Sequence, residues 1–286
     1  MSTAVLPLPR AAGWWRFARR NPTIVLGGSL LLVMVVLAAL APLIAPDPLL
    51  MAPANRLRPP SAEHLFGTDH LGRDVWARTV YGARISLMVG LLVAVVAIAV
   101  GLVVGLVAGY HRQLDGPIMR VMDGLMAIPA ILLAIALVSL TRGSVEIVII
   151  AIMLPEVPRV TRLVRSVVLS AREQAYVEAA VSGGSPSTKI MVRHILPNTV
   201  APLIVQATYI CASAILTEAG LSFLGAGTPP EIPTWGNMIA SSRLYLGRAP
   251  WTIFVPGISL ALVVLAVNLL GDGLRDRLDP RLARRM

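Results

Sequence analysis

The sequence predicts an all-α, polytopic membrane protein, a bundle of six transmembrane helices with both termini in the cytoplasm. Three observations predict it. The composition is 56% hydrophobic and only 14% charged, with a mean hydropathy of +0.75, a surface that lipid accepts and water does not. Long uncharged runs recur at the length a bilayer requires. The basic residues collect in alternate connecting segments, which sets the orientation.

The first element is a cytoplasmic segment, 1–23, followed by an anchor at 24–45 that carries no charge. At 1.5 Å per residue this run crosses a hydrocarbon core of about 30 Å. A cleaved signal peptide is the competing reading, because a basic stretch precedes the run and Ala39-Leu40-Ala41 has a small-x-small form. The run is too long for a signal core and Pro42 would follow the cut, so it reads as an anchor.

An external segment, 46–80, is rich in turn signals: Asp47-Pro48, Pro59-Pro60 and Gly67-Thr68-Asp69-His70. Glu63, His64, Asp69, His70 and Asp74 lack zinc spacing and no periodic element fixes their geometry, so no metal site is expected.

The transmembrane core is expected over 81–273, with spans at about 85–110, 118–140, 145–165, 199–222 and 251–271. In the first of these, Ala97, Gly101, Gly105 and Gly109 fall every four residues on one helix face, where small side chains let another helix approach. Packing within the chain and contact with a second subunit both fit. Pro155, Glu156 and Pro158 interrupt the span at 145–165, and Glu156 with Arg159 can pair across one turn. Glu218 lies near the outer end of the fifth span. Charges in such places are costly against lipid, so these residues are candidates for gating or subunit contact, with a structural ion pair as the alternative. Cys211 falls inside the fifth span and reads as a packing residue.

A cytoplasmic loop, 166–198, separates the fourth and fifth spans. Ser170-Ala171-Arg172-Glu173 has capping-box form and predicts a helix over 171–182 that Gly183-Gly184 ends. Ser185-Pro186 then predicts a second short helix to about 195, stopping before Pro197. Ala171, Ala175, Ala179 and Ser182 form a small-residue face beside Glu178. That face lacks the bulky apolar residues of a lipid-resting helix, so it suits a protein partner.

The second external passage, about 223–250, holds Trp235 and Tyr245, which with Trp251 suit an interfacial belt. The chain ends in a basic tail, 274–286. Its net charge of +10 does not indicate nucleic acid, since no basic stripe is interleaved with aromatics. Most Lys and Arg lie instead in the segments assigned to the inside, among them Arg10, Arg19, Arg20, Arg159, Arg162, Arg165, Arg281 and Arg285, where they meet anionic lipid headgroups.

Within the loop, Glu178-Ala179-Ala180, Gly184 and Leu196-Pro197 resemble the signature of permease subunits of ATP-binding-cassette importers. His194 stands where that family usually has isoleucine. Phe66-Gly67-Thr68-Asp69, Tyr81-Gly82-Ala83-Arg84, Leu221-Ser222-Phe223-Leu224-Gly225, Trp235-Gly236-Asn237-Met238 and Asn268-Leu269-Leu270-Gly271-Asp272-Gly273 resemble the second permease subunit of dipeptide and oligopeptide importers. The likeness runs over roughly residues 22–282.

The resemblance implies a type I importer fold in the bacterial inner membrane, with Glu178, Ala179, Ala180, Gly183, Gly184, Leu196 and Pro197 seating in a cytoplasmic ATPase. It further implies a homologous permease, two ATP-binding subunits and an external solute-binding protein that delivers di- or oligopeptides. The chain has no Gly-x-x-x-x-Gly-Lys-Ser/Thr motif and Lys189 is its sole lysine, so it is not expected to hydrolyse ATP; ATP and Mg belong to the partners, and this chain binds no cofactor. A self-sufficient carrier driven by an ion gradient is the alternative. It calls for paired intramembrane carboxylates and an internal repeat, and neither is visible.

Overall fold

The computed structural model describes residues 14–140 and 144–278, so Arg10, Arg142, Arg281, Arg284 and Arg285 lie outside the described residues. Among these residues regular structure is helical, apart from one antiparallel bridge between Thr68 and Asp74. A short α1, Trp14–Arg20, leads into α2, Pro22–Ile44, and a loop then reaches the long α3, Val75–Tyr110. Next come α4, Arg112–Ala127; α5, Ala130–Ser139; α6, Val145–Met153; and α7, Glu156–Arg172. The remaining helices are α8, Ala175–Ser182; α9, Ser187–Ile190; α10, Leu196–Phe223; α11, Trp235–Ser242; and α12, Trp251–Leu278.

Four helical rods among the described residues are long and apolar enough to cross a bilayer: Pro22–Ile44, Val75–Tyr110, Ser187–Phe223 and Trp251–Leu278. The pair α4 and α5 qualifies as a fifth crossing, broken and bent by 82°. The break has a local cause. Ile128 precedes Pro129, whose ring disfavours the helical region there, and Ile128 accordingly sits at φ −88°, ψ 127°. The run expected as one span over 145–165 is divided between α6 and α7 at Leu154-Pro155, where the proline supplies no N–H to the ladder.

The loop between α2 and α3 is shorter than the sequence suggests, because α3 begins ten residues before the expected span at 85. Asp74 caps it, its Oδ1 accepting the Ala77 N–H at 2.8 Å. Ten extra residues extend the rod by about 15 Å at its N-terminal end.

In lipid, helices associate through close packing and polar contacts rather than through water exclusion, so small residues decide which faces meet. Gly27 on α2 lies against the backbone of α12: a Cβ there would stand 2.7 Å from the Ala266 oxygen and the Leu270 nitrogen. On α3, Gly90 meets Ile215 of α10 in the same way. One core joins α3, α5, α6, α7 and α10; a second joins α2, α3, α10, α11 and α12 around the fully buried Trp235. Leu26, Leu32 and Leu43 of α2 are 61%, 62% and 82% exposed, a surface suited to acyl chains.

Candidate functional site

The segment between α7 and α10 folds back on the end of the bundle where α3 and α7 terminate. Arg172, in the last turn of α7, donates to the carbonyls of Gly109 (2.9 Å) and Tyr110 (3.2 Å), the unpaired oxygens at the end of α3. Arg165 makes a two-pronged bond to Asp115 of α4 at 2.5 and 2.6 Å, and Arg162 reaches Asp123 at 2.6 Å. The floor beneath the loop is therefore braced by charge-assisted bonds between α7, α4 and α3.

The capping-box residues 170–173 fall in the last turn of α7 and just beyond it, so the first loop helix is α8, Ala175–Ser182, opening after Gln174. The bundle contact of Ala171 explains this. That side chain is buried in the core with Val168, which holds the α7 rod helical to Arg172. Val177 is the buried residue of α8, while Glu178 and Ala179 face outward and Ala180 is partly covered.

Gly183 keeps an ordinary φ of −76°, and Gly184 takes the left-handed value of +70°. Two reversed bonds close the turn: Gly184 N–H to Val181 O at 3.0 Å and Ser185 N–H to Ala180 O at 3.1 Å. This pair is the Schellman arrangement, which satisfies the last carbonyls of a helix and needs a residue that tolerates positive φ.

Beyond the turn, Pro186 precedes α9, and the chain does not stop before Pro197. A π-helical turn, Met191–Ile195, carries the rod into α10 instead, with the Leu196 N–H bonding the Met191 carbonyl. Pro197 has no N–H to give the preceding turn, and a one-residue widening there lets the backbone pass without ending the helix. Ile190 and Ile195 are buried in the core that holds Val177, while Val181 and Val192 are 55% and 62% exposed. The outcome is a two-helix projection whose inner face is anchored and whose outer face presents Glu178, Ala179, Val181 and Val192.

The other residues singled out in the sequence lie away from this projection. Ala97, Gly101, Gly105 and Gly109 are buried on α3, the three glycines against Val160, Val164 and Val168 of α7, where a Cβ would come within 2.5–2.7 Å of the valine Cβ atoms. Glu156 accepts from Arg159 at 2.6 Å, with Glu156 buried and Arg159 43% exposed. Glu218 is fully buried in α10 and accepts from Ser222 Oγ at 2.8 Å, with the Thr228 and Thr234 hydroxyls flanking it. Asn237 of α11 donates to the Thr228, Pro229 and Ile232 carbonyls at 2.9–3.1 Å, so the loop after α10 is held over Glu218. A cavity of 660 Å³ opens beside that loop, lined by Ser139, Ser222, Thr228, Asn237 and Arg243 among others.

In the loop between α2 and α3 several polar residues have structural partners. Asp69 accepts from the Arg73 guanidinium at 2.7 Å and from two backbone N–H groups, His64 bonds Asp74 at 2.8 Å, and His70 stacks on Tyr245. Trp251 donates to the Thr68 carbonyl at 3.2 Å and Trp235 to the Thr79 carbonyl at 3.0 Å, so the two tryptophans pin α3 and the loop between α2 and α3. Tyr176 and Asn198, whose bond joins residues 22 apart in the chain, were not singled out in the sequence.

Comparison with known proteins gives this geometry a setting. The family described as "binding-protein-dependent transport system inner membrane component" matches residues 97–284, and "N-terminal TM domain of oligopeptide transport permease C" matches residues 10–60. The chain is 63% identical over 270 residues to a probable peptide ABC transporter permease protein, y4tQ, of Sinorhizobium fredii, covering 94% of this chain and 93% of that one. It is 44% identical to the dipeptide transport system permease protein DppC of Alkalihalophilus pseudofirmus, covering 98% and 92%. Against the glutathione transport system permease protein GsiD of Escherichia coli the identity is 40%, covering 94% and 90%. Among solved structures, an inward-facing form of the MetNI methionine ABC transporter aligns with a TM-score of 0.57 at 18% identity, covering 71% of this chain and 96% of that one.

Proposed function

The chain belongs to the binding-protein-dependent transport inner membrane component family, the permeases of ATP-binding-cassette importers in the bacterial inner membrane, and from that premise we propose that it forms half of a peptide-conducting path. A homologous permease completes the path. Two cytoplasmic ATP-binding subunits drive it, and an external solute-binding protein delivers the di- or oligopeptide. The peptide class comes from the names of the relatives, and this chain's own preference rests on the binding protein it meets.

Six crossings fit the architecture: α2, α3, the bent pair α4 and α5, the pair α6 and α7, α10 and α12. Both termini then lie in the cytoplasm. The bonds from Arg172 to Gly109 and Tyr110 support this, since they put residues 110 and 172 at one end of the bundle.

The observation that carries the reading is the projection of α8 and α9. It is anchored by Val177, Ile190 and Ile195 and closed by Gly184, and its exposed face has no partner within the described residues. Glu178, Ala179, Ala180, Gly183, Gly184, Leu196 and Pro197 form or shape the seat for the ATPase. ATP binding draws the ATPases together, and the projection moves with them and tips the bundles between inward-open and outward-open states. With no P-loop sequence, this chain contributes no hydrolysis of its own. Glu218, Glu156 and Arg159 are candidate gating or subunit contacts, supported by the burial of the two carboxylates and by the bond between Glu156 and Arg159.

Glu178→Lys and Gly184→Pro test the assignment. Gly184→Pro removes the N–H that bonds Val181 and forbids a φ of +70°. Either variant is expected to insert normally, lose co-purification with the ATPase in mild detergent and lose ATP-driven peptide uptake. Uptake at the level of the natural protein in both variants overturns it.

A further inference from the structure

The projection is joined to the bundle by a polar link that the sequence signature does not contain. Tyr176 stands at the start of α8 with its ring 46% exposed, and its hydroxyl accepts a bond from Asn198 Nδ2 at 3.0 Å. The same amide nitrogen donates to the His194 carbonyl at 2.8 Å, inside the π-helical turn. The His194 ring lies 6.4 Å from the Tyr176 ring at 46°, closing the third side. One amide thus ties the first turn of α8, the widened turn and the first turn of α10.

The location gives the link its meaning. Two separate apolar anchors, Val177 and the pair Ile190 and Ile195, fix the inner side of the projection, but neither joins α8 directly to the α10 rod through a directional bond. The π-helical turn lies between them. Its backbone already departs from the α-ladder, with Leu196 bonding Met191 and Pro197 offering no donor, and such single turns inside helices recur at functional sites. A pull on α8 can therefore dissipate in that turn unless something bridges it. Asn198 does so, because its two donor bonds span from α8 to the turn's own carbonyl.

We propose that Tyr176 and Asn198 are positioning residues that transmit displacement of α8 to α10 across the π-helical turn, coupling ATPase movement to opening of the peptide path. The inference rests on the permease reading above. It deepens that reading by separating two tasks: the outward face of α8 and α9 holds the ATPase, and the Tyr176–Asn198 bond converts its motion into work on α10. A link of this kind affects transport per ATP rather than assembly, since the hydroxyl points back to α10 and not to the exposed face.

The experiment uses the full complex reconstituted in liposomes with its binding protein, and reads three quantities: ATPase co-purification, ATP hydrolysis rate, and peptide taken up per ATP hydrolysed. Tyr176→Phe keeps the ring and loses only the hydroxyl; Asn198→Ala loses both bonds. Tyr176→Phe is expected to retain co-purification and hydrolysis and to lower peptide per ATP about fivefold, the size that follows from one hydrogen bond. Asn198→Ala is expected to fall at least as far, and the double variant to match Asn198→Ala alone, the non-additivity of a shared interaction. Unchanged peptide per ATP in Tyr176→Phe overturns the inference while leaving the permease reading intact. Failure of the natural chain to recruit an ATPase overturns the permease reading itself, and the inference with it.

Discussion

Gly105 of α3 and Val164 of α7 meet so closely that a Cβ on the glycine would stand 2.6 Å from the valine Cβ and 2.8 Å from the Thr161 carbonyl oxygen. The same contact repeats one turn away at Gly101 with Val160 and at Gly109 with Val168, so α3 and α7 share a seam in which the valines enter notches left by glycine. With little hydrophobic drive between helices in lipid, this fit is what brings α7 and its arginines over the ends of α3 and α4.

Gly105→Val therefore forces the helices apart at the centre of the seam. Overpacking of this kind costs about 1–3 kcal/mol. The expected result is a lower thermal midpoint in detergent and loss of the Arg165–Asp115 brace. The midpoint should stay unchanged for an alanine at Gly124, where a Cβ meets nothing within 4 Å, and an equal loss at both positions would contradict the seam.

Glu218 accepts from Ser222 one turn on in α10, and the Thr228 and Thr234 hydroxyls of the loop that follows lie beside it. Glu218→Ala removes the acceptor and leaves buried hydroxyls without it, at a cost of about 1–3 kcal/mol. Glu218→Gln keeps an acceptor oxygen and nearly the same volume. Thermal unfolding should separate the two variants, with alanine well below glutamine; equal midpoints would show that the loop does not depend on this contact.

His70 gives the loop between α2 and α3 a pH dependence. Burial is the largest influence holding its imidazole below the ordinary 6.5; Asp69 opposes this, while the nearby Arg73, Arg78 and Arg56 add to it. The folded state therefore binds a proton less readily than the unfolded chain. Its contribution to stability is complete above about pH 6.5 and is lost as pH falls from there through the folded value. Thermal midpoints measured from pH 7.5 to 5 should decline in the natural chain and decline less in His70→Phe, which retains a ring to stack on Tyr245. Parallel declines would assign the effect to other groups.

The fold class was legible because apolar runs of bilayer length allow few alternatives. Helix boundaries were less so. Hydropathy placed the start of the second span at 85, while Asp74 started the helix at Val75, since a cap acts through one hydrogen bond and leaves no mark on a hydropathy average. Pro129 and Pro155 were visible as residues, but only their surroundings decided that each would divide a run rather than kink it. In the loop, Gly183-Gly184 announced a helix end correctly, and the left-handed position turned out to be the second glycine. The stop expected before Pro197 did not occur, because the π-helical turn absorbed the missing donor and let burial of Ile195 continue the rod. The Tyr176–Asn198 bond was out of reach for the sequence, as it depends on how α8 folds back across the turn.

The central claim is that the outward face of α8 and α9 seats a cytoplasmic ATPase. Val181 is exposed there, and Cys211, the chain's own cysteine, lies within α10. A single cysteine at Val181, introduced together with Cys211→Ser, allows a thiol cross-linking measurement in sealed vesicles of known orientation. The account predicts modification by an impermeant reagent only from the cytoplasmic side, and a cross-linked product joining this chain to the ATPase. Modification from the external side, or uptake-competent complexes in which residue 181 never cross-links to the ATPase, would contradict it.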